Sequence, residues 1–283
     1  MSSQQMFHRH QIHTSMNLYN KIRECCDNEE HPNTIPVILA LDVTGSMGRT
    51  ALEIAQSLNP IVSRLYNSVK DVEFMIMGIG DLECDEGPIQ GSQFESDIRI
   101  AEAIDNIWFE GRGGGNAYES YTAAWYYGTY CCKLDCWKRG KKGIIITMGD
   151  EQLNPYLPTD ALGRSLGNVS QNITRTRELY DVAKEKFDIH HINLDHGQLS
   201  MRCTLGNGLN PISDSWSIIG QNYHNIVSVD NLEDCIVQIV ESFAVNQNNS
   251  VKNNQIVFTN TEPAAAEPVE PTSVFGFQNN ISW

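Results

Sequence analysis

Apolar residues along the chain alternate between two spacings. Residues 35–41, 72–79 and 143–148 are nearly unbroken apolar runs of strand length, and 189–194 and 223–229 are more mixed segments that also read as strands. Such runs predict strands buried on both faces. Between them, apolar residues recur at three- and four-residue intervals. Leu52, Ala55, Leu58, Ile61, Val62, Leu65 and Val69 predict a helix over 50–69. The same spacing predicts helices over 97–108, 118–137, 174–187 and 232–245. Residues 82–93 read as an acidic turn leading into a short strand at 89–94. Residues 151–170, with Pro155, Pro158, Gly163 and Gly167, read as a long loop over the strand ends. Residues 197–222 read as irregular, with a short helix near 214–219. Strands alternating with helices imply an α/β fold: a doubly wound, mostly parallel sheet with helices on both faces and one short antiparallel edge strand.

The flanks differ in composition. Residues 1–34 read as a polar N-terminal leader, with an amphipathic helix around 17–26. The domain proper spans 35–245. From 246 the chain turns to Asn, Glu and Pro, including Glu262-Pro263 and Glu267-Pro268-Val269-Glu270-Pro271, and reads as an extended linker. Val274, Phe275, Phe277, Ile281 and Trp283 put an apolar stretch at its end. They suit either a docking motif or a frayed terminus.

A formal net charge of −15 over 283 residues argues against phosphate-backbone binding, which needs clustered Lys and Arg, so no nucleic-acid partner is expected. No run of about 20 apolar residues predicts a membrane span. The N-terminus lacks the apolar core of a secretory signal, so a cytoplasmic location with reduced thiols is expected for the eight cysteines. Cys132 and Cys136 stand one helical turn apart beside Cys131. With no Cys-x-x-Cys pair anywhere, they read as small buried helix residues rather than as a zinc site. His8, His10 and His13 fall in the polar leader, while His190 and His191 fall in a strand. Ordinary positions are preferred for all five over a second metal site.

The densest chemistry lies at 37–48, VILALDVTGSMG. An apolar strand ends in Asp42, and two hydroxyls follow at alternate positions, Thr44 and Ser46, before a helix begins. One carboxylate and two neutral oxygens at the carboxyl end of a buried strand suit a hard divalent cation with open positions. Two later segments are Gly113-Gly114-Gly115-Asn116-Ala117-Tyr118-Glu119-Ser120 and Ile144-Ile145-Ile146-Thr147-Met148-Gly149-Asp150-Glu151, an apolar strand ending in acid.

Together these three segments resemble the metal-ion-dependent adhesion site of von Willebrand factor A domains. The first motif of that family, Asp-x-Ser/Thr-x-Ser, is filled by Asp42, Thr44 and Ser46. The resemblance covers roughly residues 35–245. It implies that Asn116, where Thr or Asp is common, completes or tunes the ligand set. It implies that Asp150 supplies the last carboxylate, because Met148 stands where many members carry Asp. The implied cofactor is Mg²⁺ or Mn²⁺, and the implied partner is a protein offering Asp or Glu as a ligand. AAA+ ATPases and signalling assemblies are the partner class the resemblance suggests. Arg49, Glu119 and Glu151 would lie on the rim, as specificity residues or as solubilising surface charges.

The rival readings are enzymatic. A haloacid-dehalogenase-type phosphatase needs a second Asp where Thr44 stands, and a hydroxyl cannot replace a carboxylic acid as proton donor. A P-loop would need Gly-Lys-Ser/Thr after its glycines. A serine hydrolase centred on Ser46 would need Gly-x-Ser-x-Gly, and Thr44 fills the first glycine position. Metal-dependent protein binding, not catalysis, is the expected function.

Overall fold

The computed structural model describes residues 11–110, 118–167, 169, 175–194, 211–226 and 228–256, with side chains as far as 247. The described residues up to 247 belong to one compact unit.

The first element among the described residues is a short strand, β1 (Arg23–Cys25). The buried run β2 (Ile35–Asp42) follows and leads through a tight turn into helix α1 (Gly48–Ser68). Next come β3 (Val72–Ile79), the edge strand β4 (Ile89–Gly91) and helix α2 (Arg99–Asp105). The middle of the chain holds β5 (Tyr118–Glu119), α3 (Thr122–Cys131), β6 (Cys132–Leu134), α4 (Asp135–Lys138), β7 (Gly143–Gly149) and β8 (Gln152–Leu153). Helices α5 (Thr159–Leu166) and α6 (Thr176–Lys186) precede β9 (Phe187–Leu194). Helix α7 (Pro211–Ser215) runs into a 3₁₀ turn, Trp216–Asn222. Then come β10 (Tyr223–Ile226) and helix α8 (Leu232–Ile256).

Among the described residues, six strands form the central sheet in the order β10-β9-β7-β2-β3-β4, with every pair parallel except β3–β4. This is the expected doubly wound α/β architecture, antiparallel edge included. Side chains alternate between its faces. Val37, Leu39, Leu41, Phe74, Ile76, Ile144 and Ile146 join apolar residues of α1, α2 and α8 in one core. Ile38, Ala40, Met75, Met77 and Ile145 join residues of α3, α5 and α6 in the other. Strand β2 pairs with β3 on one side and β7 on the other, and the chain winds outward from it in both directions. The carboxyl ends of β2 and β7 are therefore the topological switch point, the place where such sheets bind ligands.

Several segments differ from the sequence expectation. Residues 17–26 contain strand β1, paired in parallel with β6, and not a helix. The N-terminal segment is packed rather than a purely polar leader. Met16 and Leu18 are buried, the Gly91 N–H donates to Met16 O at 2.8 Å, and the Asn20 N–H donates to Leu166 O at 2.9 Å. The buried Arg23 donates through Nη2 to Ser15 O at 2.8 Å and Gly91 O at 2.9 Å, fastening the segment to the edge strand. The single helix expected over 118–137 is broken by β6, which puts Cys132 in a strand. The loop expected over 151–170 contains β8 and α5. The last helix runs to Ile256, past residue 245. The apolar end of the tail lies outside the described residues. No helix among the described residues is long and apolar enough to cross a membrane. Cys25, Cys26, Cys84, Cys131, Cys132, Cys136 and Cys235 are free thiols.

Leu18 tests the docked N-terminal segment. Leu18→Ala should lower the unfolding free energy in urea by about 2–5 kcal/mol, the cost of emptying a core leucine site. A change within about 0.5 kcal/mol would mean that the segment behaves as a solvated leader.

Candidate metal centre at the carboxyl ends of the central strands

Asp42 closes β2 and is fully buried. The turn after it folds back on its carboxylate. Oδ1 accepts from the Thr44 N–H at 2.9 Å and from Thr44 Oγ1 at 2.6 Å. Oδ2 accepts from the Tyr121 hydroxyl at 2.9 Å. Thr44 Oγ1 lies 3.1 Å from Ser46 Oγ, and Ser46 Oγ donates to Asp150 Oδ1 at 3.1 Å. A continuous chain of oxygens thus runs Tyr121–Asp42–Thr44–Ser46–Asp150. Asp42, Thr44 and Asp150 are buried, and Ser46 opens to solvent. Four of the five sequence-predicted ligands are brought together. The fifth, Asn116, and its glycine loop lie outside the described residues.

The approach of the two acids depends on Gly149, the last residue of β7. A Cβ there would collide with the Tyr121 hydroxyl and lie 2.8 Å from Asp42 Cβ and 2.9 Å from Asp42 Oδ2. Only a residue without a side chain lets β7 deliver Asp150 beside β2. Met148 is wholly buried in the core.

Burial first, and then the neighbouring Asp150 carboxylate, push Asp42 up to about 7, against the opposing hydrogen bonds from Thr44 and Tyr121. Burial pushes Tyr121 well above its ordinary value, so its hydroxyl remains a donor. Glu119, expected on the rim, is buried. Its Oε2 has no hydrogen-bond partner among the described residues. Burial first, followed by Asp42, Asp85 and Asp81, drives it up to about 11. Glu151 is half-buried. Its N–H reaches the Tyr121 hydroxyl at 3.4 Å, and its carbonyl accepts from Trp216 Nε1 at 3.3 Å. Arg49 is exposed.

Sequence reasoning missed Tyr121 and the aromatic floor beneath it. Trp216 stacks on His191 at 3.6 Å, and Tyr121 meets the same imidazole edge-on at 5.1 Å. The aromatic richness of 118–137 was the available signal, but no motif marked one tyrosine among several.

Among the described residues no three His, Cys, Asp or Glu side chains converge as a metal-holding group. The set here is two carboxylates and two hydroxyls. It fits a small hard cation on two grounds: every donor is oxygen, and the paired buried acids repel each other until a positive charge joins them.

No family model and no curated protein sequence matches the chain. Solved structures do. Two structures of the pilus adhesin SpaC from Lactobacillus rhamnosus GG align with 83% of this chain at 13% identity. Their TM-scores are 0.49 for the open conformation and 0.50 for the other form. This chain spans 33% and 34% of those adhesin chains, about a third of their length. BatB from Bacteroides thetaiotaomicron, a conserved hypothetical protein, aligns over 74% of this chain and 98% of its own at 13% identity and a TM-score of 0.47. At a TM-score of 0.50 the likeness is one of fold, a helix-flanked, mostly parallel sheet of the von Willebrand factor A or Rossmann-like kind.

Asp42 makes metal-free stability depend on pH. Its folded pKa, about 7, lies above its ordinary value of 3.8, so the folded chain holds a proton that the unfolded chain releases first. In EDTA, stability should be greatest near pH 4 and fall as pH rises through about 7. Urea midpoints at pH 5 and pH 8 measure this, and Asp42→Asn should flatten the slope. An equal slope in that variant would contradict the assignment.

Proposed function

We propose that this chain is a metal-dependent protein-interaction module. In this reading Asp42, Thr44, Ser46 and Asp150, with Asn116, hold Mg²⁺ or Mn²⁺, and an Asp or Glu of a partner protein takes an open coordination position. A set with few anionic ligands leaves the cation electrophilic, which favours capture of an external carboxylate. The observation that carries the reading is the oxygen chain from Asp42 to Asp150 at the sheet's switch point. Its two acids are buried side by side, where a bound cation would relieve their repulsion. A cytoplasmic setting beside an ATPase or signalling assembly is the context we propose, and it rests on the sequence resemblance alone.

A phosphatase of the haloacid-dehalogenase type is the weaker alternative. The residue two after Asp42 is Thr44, whose hydroxyl is already committed as donor to that carboxylate at 2.6 Å. No carboxylic acid stands there to protonate a leaving group.

Capture from native lysate tests the reading, with full-length bait in Mg²⁺, in EDTA, and as the Asp42→Ala/Ser46→Ala variant. A partner retained by the wild type in Mg²⁺ and lost in both other arms is expected. The double variant should also lose Mg²⁺ affinity by more than the roughly 10–100-fold typical of disrupting second-shell groups. Partners that survive EDTA and the double variant would move recognition away from these residues. Turnover of an aryl phosphate abolished by Asp42→Asn would establish the alternative.

A further inference from the structure

The Asp42 carboxylate is held at both of its oxygens, by two clamps of different origin. Thr44 holds Oδ1 through its N–H at 2.9 Å and its hydroxyl at 2.6 Å. It stands two residues on, in the same turn, and so moves with Asp42. Tyr121 holds Oδ2 at 2.9 Å. It comes from 79 positions away, at the start of α3, and is anchored by other elements. Its ring is wholly buried, edge-on to His191 at 5.1 Å and tilted against Trp216 at 5.2 Å. Its hydroxyl also accepts from the Glu151 N–H at 3.4 Å, one residue beyond Asp150. A Cβ at Gly149 would collide with that hydroxyl, so the hydroxyl is packed against the end of β7. Tyr121 thus ties Asp42 both to the buried aromatic floor and to the strand end that carries Asp150.

We propose, resting on the metal-binding reading above, that Tyr121 sets the cation selectivity of the centre: it clamps Asp42 so that the oxygen set closes on an ion of the size of Mg²⁺ and not on Ca²⁺. Mg²⁺ demands near-octahedral geometry at about 2.0–2.1 Å. Ca²⁺ takes about 6–8 oxygens at about 2.3–2.6 Å in flexible geometry, and often draws both oxygens of one carboxylate. Accepting Ca²⁺ therefore requires each ligand to retreat by about 0.2–0.6 Å. An ionised carboxylate offers about four lone-pair sites. Thr44 occupies two on Oδ1 and Tyr121 one on Oδ2. The site left is on Oδ2, so Asp42 meets a cation through one oxygen only, directly or through water.

Tyr121 is a positioning residue: it acts through Asp42 and is not itself a ligand. Its clamp comes from outside the ligand set, whereas the Thr44 clamp belongs to it. Phenylalanine at this position keeps the ring on the His191 and Trp216 floor and deletes only the donor. Asp42 and its turn are then free to shift together, because Thr44 travels with the carboxylate. Oδ2 gains a second open lone-pair site, and the set can widen to the Ca²⁺ distance.

Mn²⁺ paramagnetic resonance of EDTA-stripped full-length protein at pH 8, with Mg²⁺ and Ca²⁺ added as separate competitors, tests the proposal. In wild type, Mg²⁺ should displace Mn²⁺ at a lower concentration than Ca²⁺ does. Tyr121→Phe should keep Mn²⁺ binding and an unchanged far-UV spectrum. Its ratio of Ca²⁺ to Mg²⁺ displacement midpoints should fall by about 10–100-fold, the scale of outer-shell changes at metal sites. A general structural loss would weaken all three ions alike and leave that ratio where it was. An unchanged ratio therefore overturns the proposal, and so does a wild type that prefers Ca²⁺, a result that needs no variant. A wild type that leaves all Mn²⁺ free removes the metal-binding reading itself, and this proposal with it.

Discussion

The candidate centre depends on one close approach, that of Gly149 to Asp42 and Tyr121. Parallel neighbours β2 and β7 run side by side from Val37↔Ile144 to Leu41↔Met148, and both end in acid. Two carboxylates at adjacent strand ends repel, and their burial makes that repulsion stronger. The turn after Asp42 answers part of this. It aims two donors from Thr44 at one carboxylate oxygen, while Tyr121 covers the other. Ser46 then links the first acid's turn to the second acid. A side chain at 149 would push apart the groups that this network joins.

The rest of the molecule holds that arrangement in place. Apolar layers on both faces bury the central strands completely, so their register is fixed and their ends cannot slide. On the face that carries Tyr121, the stacked His191 and Trp216 form a rigid floor below its ring. The N-terminal segment closes the antiparallel edge through Arg23 and Met16, and so covers a strand edge that would otherwise be open to other chains. Acidic groups then gather at one end of the sheet. Glu119 and Asp85 are both pushed up by burial there, and acidic neighbours add to each shift. Burial favours the neutral form of such groups, and a cation bound beside them would favour the ionised form.

The sheet was legible in the sequence because strands buried on both faces are near-continuous apolar runs, as in β2, β3 and β7. The oxygen set was legible too, since Asp42, Thr44 and Ser46 sit within five residues and Asp150 ends an unmistakable strand. What failed was whatever depends on contacts distant in sequence. Met16, Leu18 and Cys25 have no period, and it is the buried Arg23 that ties their segment down. Strand β6 is three residues long and is hidden inside an aromatic-rich stretch that scores as helix. Pro155 and Pro158 suggested a loop, yet Ala161, Leu162 and Leu166 form a buried helical face just beyond them. Glu119 read as a surface acid because nothing local shows that Asp81 and Asp85 lie close to it. His224 became a hydrogen-bond partner of His190 only through the β9–β10 register.

The central claim is that the oxygen set of Asp42, Thr44, Ser46 and Asp150 holds one hard cation. Electron paramagnetic resonance of Mn²⁺ titrated into EDTA-stripped protein at pH 8 measures this directly, since bound Mn²⁺ loses the sharp signal of the free ion. The account predicts one bound Mn²⁺ per chain, displaced by Mg²⁺, absent in Asp42→Ala and weakened as pH falls through about 7, where Asp42 takes up its proton. Retention of that Mn²⁺ by Asp42→Ala, or a wild type that leaves all Mn²⁺ free, would contradict it.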